Sequence, residues 1–193
     1  MTTKCIRGMM VCAVALALGA CHSAATRIYA LDVATPAARL DSYKGPALHV
    51  DGLSVPAGWD RIEILHPTTA GTLDISDFDH WSAQLSQAAR QALSADLSDR
   101  LPPGSVIYPR LPKPGDALGV SVDILEFGIS GSRASMQASW IITPAAGVAR
   151  RSEALLRDSM SSSDPAAVVR AWSALIGQLA DHIAADAALL QNP

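Results

Sequence analysis

The amino terminus of this sequence limits what the rest of the chain can fold into. An apolar run over residues 9–18 follows two basic residues; it is too short to span a bilayer and is typical of a secretion signal. The run ends in Leu18-Gly19-Ala20-Cys21, where small residues precede a cysteine as in the lipobox of bacterial lipoproteins. We therefore predict that residues 1–20 are a removable signal and that the thiol of Cys21 receives lipid.

Two other interpretations of this segment remain open. An ordinary secretory signal could be cleaved elsewhere, and an uncleaved anchor helix would need a longer apolar run. Residue 22 is histidine and not aspartate, which by analogy with enterobacterial sorting favours the outer membrane. The predicted tether, residues 21–26, is short, because five extended residues reach only ~17 Å. A folded domain over residues 27–193 should therefore sit close to the membrane.

The mature chain has the size and charge of one globular domain. Removing 20 residues from 193 leaves 173, enough to bury a core without metal or disulfide staples. Cys5 and Cys12 belong to the signal, so Cys21 remains alone and no intrachain disulfide can form. Loss of Lys4 and Arg7 leaves 13 basic against 18 acidic residues, a net charge of −5. Without a basic cluster, we expect no binding to nucleic acid.

Alternation of apolar and polar residues predicts that most of the domain is made of strands. The predicted strands cover residues 27–32, 48–55, 60–65, 72–75, 106–108, 120–127, 133–142 and 148–158. The apolar phase of the second strand shifts at Gly52, which predicts a bulge. Ile62 and Ile64 should both face inward in the third strand. The last three strands should form an antiparallel meander.

Two amphipathic helices complete the predicted fold. The first covers residues 80–99 and has an apolar residue at every fourth position: Trp81, Leu85, Ala89, Leu93 and Leu97. Asp77 or Asp79 would cap it, and Asp164 with Pro165 would begin the second helix. The order of elements predicts a single α+β domain, a mostly antiparallel mixed sheet with both helices packed on one face.

Catalytic and metal-binding motifs are missing from the sequence. It contains no nucleophile elbow, no glycine-rich phosphate loop and no pair of histidines at helical spacing. The acidic residues Asp74, Asp77 and Asp79 lack the rest of a calcium loop and fit helix capping better. We therefore predict no metal, no cofactor and no enzymatic activity, and an envelope hydrolase is only a third hypothesis.

The four tryptophans differ in their predicted surroundings. Trp81, Trp140 and Trp172 lie on faces predicted to be buried. Trp59 lies in a loop and is predicted to be the exposed one, so Trp59 and Arg61 are candidate partner-binding residues, with packing of Trp59 in the core as the alternative.

Short motifs across the mature chain occur in a familiar order. After the lipobox come Tyr29-x-Leu31, Leu48-His49-Val50-Asp51-Gly52-Leu53-Ser54-Val55-Pro56, Trp59-Asp60-Arg61, Trp81 before a helix that ends in Leu101-Pro102, two strands over 120–127 and 134–140, and Ala171-Trp172-Ser173. This pattern resembles the ABC-type transport auxiliary lipoproteins, also called PqiC-like or YmbA-like lipoproteins. The sequence departs from it at Trp59, where the family often has tyrosine, and in residues 34–45.

The resemblance implies a location, a set of partners and a role. It implies a lipoprotein of the outer membrane, facing the periplasm, that works with an MCE-domain protein and inner-membrane transport components. Such systems are thought to move lipids between the two membranes and to support envelope integrity. The resemblance also implies self-association into a homo-oligomer. The alternative is a periplasmic lipoprotein that scaffolds or regulates another envelope complex.

Overall fold

The structure, a computed structural model, describes residues 25–68 and 72–190. The predicted signal and Cys21 lie outside these residues. Within them the chain forms β1 (Arg27–Tyr29), β2 (Leu48–Ser54), β3 (Glu63–Pro67), β4 (Leu73–Trp81), α1 (Leu85–Arg100), β5 (Val106–Ile107), β6 (Leu118–Ser130), β7 (Arg133–Thr143), β8 (Arg150–Ser159) and α2 (Pro165–Leu189). The α+β class is confirmed.

The larger sheet has five strands in the order β5-β2-β6-β7-β8. Strand β2 runs parallel to β5 and β6, whereas β6, β7 and β8 form the predicted antiparallel meander. The pairing of β2 with β6 shifts register between Val50 and Gly52, which confirms the bulge. The predicted inward face of β7 is also buried: Ala134, Met136, Ala138, Trp140 and Ile142.

The smaller sheet has the order β1-β4-β3, so the strands form two sheets and not one. Strand β4 extends to Trp81, which pairs with Tyr29 and whose backbone N–H donates to the carbonyl of Ile62. These strand contacts explain why the prediction of a helix from residue 80 was wrong. Trp81 is buried from a strand, and Ile62 is exposed although Ile64 is fully buried.

The two helices begin in different ways. Helix α1 has Gln84 at its N-cap without a side-chain cap, so the predicted caps Asp77 and Asp79 were wrong. Asp60, from the loop between β2 and β3, accepts a hydrogen bond from the backbone N–H of Ser86 at 3.0 Å instead. Helix α2 begins as predicted, since the Asp164 side chain accepts from the backbone N–H of Ala167 at 2.9 Å.

Both helices cover the same face of the larger sheet. Helix α1 packs on β2, α2 packs on β7 and β8, and the helices pack on each other. The predicted stripe of α2 is buried from Val168 to Ile183. Burying one large aliphatic side chain contributes about 1.5–3 kcal/mol, so this stripe is a main source of stability.

Candidate functional site

Trp59 is a core residue and not the exposed anchor that the loop context predicted. Its side chain is only 9% exposed, and its ring packs in a T-shaped arrangement with that of Phe127 at a centroid distance of 4.8 Å. The ring also lies 6.2 Å from that of Trp172, which stacks on Phe127 at 4.2 Å. A turn closed by the carbonyl of Pro56 directs Trp59 inward. The prediction of exposure was wrong because its aromatic partners come from β6 and α2, far away in sequence.

Arg61 stays at the surface beside this turn. Its Nε donates to a carboxylate oxygen of Glu63 at 2.9 Å, and this hydrogen bond lowers the pKa of Glu63. The structure therefore separates the two candidate residues, with Trp59 inside the core and Arg61 outside it. A role for Arg61 in partner binding stays a prediction.

The segment between β1 and β2 is fastened across the two helices. The backbone N–H of Asp32 donates to Ser173 Oγ of α2 at 3.0 Å, and that of Ala34 donates to Asp96 Oδ1 of α1 at 2.9 Å. This segment includes residues 34–45, which the family pattern does not explain. It begins directly after β1, so it connects β1 to the helix pair.

A buried arginine holds the two helices and this segment together. Arg100 is 1% exposed and lies near the end of α1. Its guanidinium donates to Asp181 Oδ1 at 2.6 Å, to the carbonyl of Gly177 at 2.9 Å, and to the carbonyl and carboxylate of Asp96 at 2.9 and 3.1 Å. Its own carbonyl accepts from the backbone N–H of Leu40 at 2.7 Å. We call Arg100, Asp96 and Asp181 the buried charge cluster.

Sequence reasoning missed the buried charge cluster, although one signal was present. Arg100 lies three residues after Leu97 and so continues the apolar stripe of α1. An arginine on such a stripe, four residues after Asp96, indicates a buried ion pair. The long-range partner Asp181 has no signal of this kind in the sequence.

Burial disfavours the charged form of Asp96. It is fully buried, and burial raises its pKa to about 6, against the lowering effects of the Ala34 N–H and of Arg100. Its pKa in the folded state lies above the ordinary value. The contribution of Asp96 to the free energy of unfolding is therefore fully present at low pH and is lost as the pH rises through about 6.

Gly177 lets the segment after β1 approach α2 closely. A Cβ atom at this position would lie 2.3 Å from the Cβ of Ala34. Glycine within a helix costs about 1 kcal/mol relative to alanine, so the close contact explains why glycine suits this position.

Strand β1 is fixed to the smaller sheet by a bidentate ion pair. Arg27 Nε and Nη2 donate to the two carboxylate oxygens of Asp79 at 2.6 and 2.8 Å. The pair lowers the pKa of Asp79 to about 2. The amino end of β1 is therefore fixed beside β4.

The acidic residues of β4 do not converge on a common site. Asp79 turns inward to Arg27, whereas Asp74 and Asp77 are exposed. In the described part of the chain, no three His, Cys, Asp or Glu side chains lie close enough together to hold a metal ion.

A histidine and an aspartate on β2 form the closest arrangement to an oriented base. His49 Nδ1 lies 2.8 Å from Asp51 Oδ1, and Lys113 Nζ donates to Asp51 Oδ2 at 2.9 Å. The other ring nitrogen of His49 is buried and has no hydrogen-bond partner among the described residues. A nucleophile next to His49 would be needed for acyl-transfer chemistry, and none of these residues supplies it.

Two clefts open on the helix side of the domain. One, of about 420 Å³, lies between the end of β8 and the start of α2 and is lined by Met160 and Arg170. The other, of about 300 Å³, is lined by Arg90, Tyr108 and Arg110. Arg90 donates to the carbonyl of Val50 from Nε and Nη2, so it also has a structural role.

Across residues 25–68 and 72–190, no helix has both the length and the apolar character that a membrane span needs.

Comparison with known proteins identifies the family. The sequence model of the ABC-type transport auxiliary lipoprotein component matches residues 29–184, and the chain belongs to this family. The match begins within β1 and ends near the end of α2, so it includes the turn of Trp59 and the buried charge cluster. A comparison with curated proteins returns no match.

Solved structures show the same fold. One, described as the crystal structure of an uncharacterized protein, has a TM-score of 0.67 at 18% identity and covers 84% of this chain and 99% of its own. Another, protein XCC0632 from Xanthomonas campestris of the family model DUF330, has a TM-score of 0.61 at 18% identity and covers 84% and 95%. At 18% identity, the similarity to these structures shows a shared fold alone.

Proposed function

We propose that this protein is anchored in the outer membrane by lipid on Cys21, faces the periplasm, and acts as a non-catalytic auxiliary component of an MCE/ABC-type system that moves lipids between membranes and supports envelope integrity. The observation that carries the proposal is the family match over residues 29–184. The order of lipobox, tether and domain in the sequence supports it.

The way the domain begins supports a role that depends on anchoring. Strand β1 starts six residues after Cys21 and is held by the Arg27–Asp79 pair. The following segment is fastened to both helices by Asp32 and Ala34. An anchor at Cys21 would therefore hold the domain near the membrane on a short link.

The proposed role is non-catalytic and depends on recognition between protein surfaces. The partners that we propose are an MCE-domain protein and the inner-membrane components of the system. We also propose that the protein associates with further copies of itself.

Crosslinking in intact cells tests the proposed partners. Affinity capture of the crosslinked protein from envelope extracts should recover an MCE-domain protein, and capture with two differently tagged copies should recover both tags. Recovery of no MCE-domain protein under effective crosslinking would contradict the proposal.

Deletion distinguishes the proposal from the alternative of a scaffold for another complex. Loss of the protein should disturb lipid asymmetry and lower resistance to detergent. A deletion strain in which both properties stay intact would favour the scaffold.

A photoreactive amino acid tests the surface at Arg61. Placed at Arg61, it should crosslink to the partner, whereas Arg151 on the outer face of β8 serves as the control position. Equal crosslinking from both positions would contradict a specific role for Arg61.

A further inference from the structure

The hairpin of β3 and β4 exposes apolar side chains in its distal half. Leu73 and Ile75 are 45% and 50% exposed, although both are large aliphatic residues on a strand. In the pairing of the two strands, Leu73 lies opposite Pro67 and Ile75 lies opposite Leu65. Directly opposite residues in an antiparallel pair share a face, so these four residues form one apolar face. We call Leu65, Pro67, Leu73 and Ile75 the hairpin face.

The opposite side of the distal hairpin is polar. His66 lies opposite Asp74, and both alternate with the residues of the hairpin face. The hairpin is therefore amphipathic. Its apolar face continues outward from the core, since Leu65 is buried and belongs to the core cluster.

The direction of β1 bears on where an anchor at Cys21 would lie. Strand β1 runs parallel to β4, and Arg27 lies opposite Asp79. At this pairing the amino ends of both strands point the same way, and β4 continues through a register shift, between its pairs with Glu63 and Leu65, to its amino end at Leu73. An extended chain that leads back from Arg27 to Cys21 would therefore run toward the end of β4 at which the hairpin face is exposed.

The segments from Cys21 to Arg27 and from Leu73 to Asp79 contain the same number of residues. Cys21 precedes Arg27 by six residues, and Leu73 precedes Asp79 by six residues. Six extended residues span at most about 20 Å in either segment. Acyl chains on Cys21 would therefore hold a membrane within reach of the hairpin tip, but not far beyond it.

We propose that the hairpin face lies against the lipid surface that holds the Cys21 anchor, which rests on the lipidation of Cys21 in the proposed function. Apolar area that leaves water at a membrane surface adds to the affinity of a lipid anchor, and an amphipathic element lies flat in such a surface. The hairpin also exposes Asp74 and Asp77, so zwitterionic lipids should suit it better than anionic ones.

A fluorophore at residue 75 tests the contact in the full lipidated protein. Cys21 would be the only cysteine of the mature chain and its sulfur would be acylated, so Ile75→Cys provides a single reactive thiol. The labelled protein is purified from membranes and reconstituted into phosphatidylcholine vesicles that contain a brominated phospholipid quencher. Leu155→Cys on β8 is the matched control, because Leu155 is 52% exposed and Ile75 is 50% exposed.

Bromolipid should quench a label at residue 75 several-fold more strongly than a label at residue 155, and phosphatidylglycerol vesicles should reduce the difference. Leu73→Cys should repeat the result of Ile75→Cys if the first variant alters folding, which thermal melting reports. Equal quenching at residues 75 and 155 would overturn the proposal. A label at 75 that is shielded from aqueous iodide but not quenched by bromolipid would also overturn it and would indicate a protein partner or a second copy.

Flotation of the vesicles separates failure of this proposal from failure of the anchor. If the protein floats with the vesicles and residue 75 is not quenched, the hairpin contact is wrong and the anchor stands. If the protein does not float, the proposal of a lipid anchor is wrong, and the proposal of a hairpin contact fails as well.

Discussion

Replacing Arg100 with methionine should destabilise the domain by about 3–5 kcal/mol, the cost of removing one partner from a buried ion pair. The guanidinium is 1% exposed and donates to Asp181, to Asp96 and to the carbonyl of Gly177. In Arg100→Met, the fully buried Asp96 would keep only the backbone N–H of Ala34 as a donor. Its charge at neutral pH would then lack compensation.

Urea unfolding at pH 7.5 measures this loss through tryptophan fluorescence, because all four tryptophans are buried. A Cys21→Ser background keeps the proposed acyl chains from interfering. At a slope of about 2 kcal/mol per molar urea, the midpoint should fall by about 2 M. Arg39→Met is the control: Arg39 pairs with Asp99 at the surface, and its loss should cost less than about 1 kcal/mol.

A double variant tests the physical reason for the loss. Replacing both members by apolar residues, Asp96→Leu with Arg100→Met, should recover part of the stability, because no unpaired buried charge remains at position 96. An Arg100→Met protein within about 1 kcal/mol of the wild type would refute the argument that the buried charge cluster holds the helices together.

Three further variants test separate parts of the fold. Gly177→Ala should lower the melting temperature measured by circular dichroism, because the clash with Ala34 outweighs the gain in helix propensity of about 1 kcal/mol; an increase would contradict this. Trp59→Ala should cost about 3–5 kcal/mol in urea unfolding and Arg61→Ala less than about 1 kcal/mol, and similar costs would contradict the burial of Trp59. Asp79 has a pKa of about 2, below its ordinary value, so it stabilises the fold above about pH 4 and loses this effect as the pH falls through 2. Asp79→Asn should therefore lower the free energy of unfolding by about 1 kcal/mol at pH 6 and by little at pH 2; the value is reduced because the arginine partner is exposed. An equal loss of stability at both pH values would contradict the pairing.

Local patterns predicted the elements whose burial depends on their own sequence. The alternation over β7 and the stripe of α2 both specify one buried face, and Asp164 with Pro165 marks the start of α2 directly. The bulge at Gly52 was also predicted, because a shift in the apolar phase is a local signal.

Elements that depend on distant partners were not predicted correctly. Trp81 fits a helical stripe, but Tyr29 and Ile62 hold it in a strand. The burial of Trp59 depends on Phe127 and Trp172, which come from other elements. Cross-chain contacts of this kind leave little trace in a local window of sequence, and the same is true of the separation into two sheets.

Replacement of Cys21 with alanine tests the central claim, that this domain works as a lipid-anchored component of the envelope. The variant is expressed at the native level in a deletion strain, and its location, its melting temperature and its rescue of detergent resistance are measured together. We expect a domain released from the membrane, with unchanged stability and without rescue. Full rescue by a released, folded domain would contradict the account.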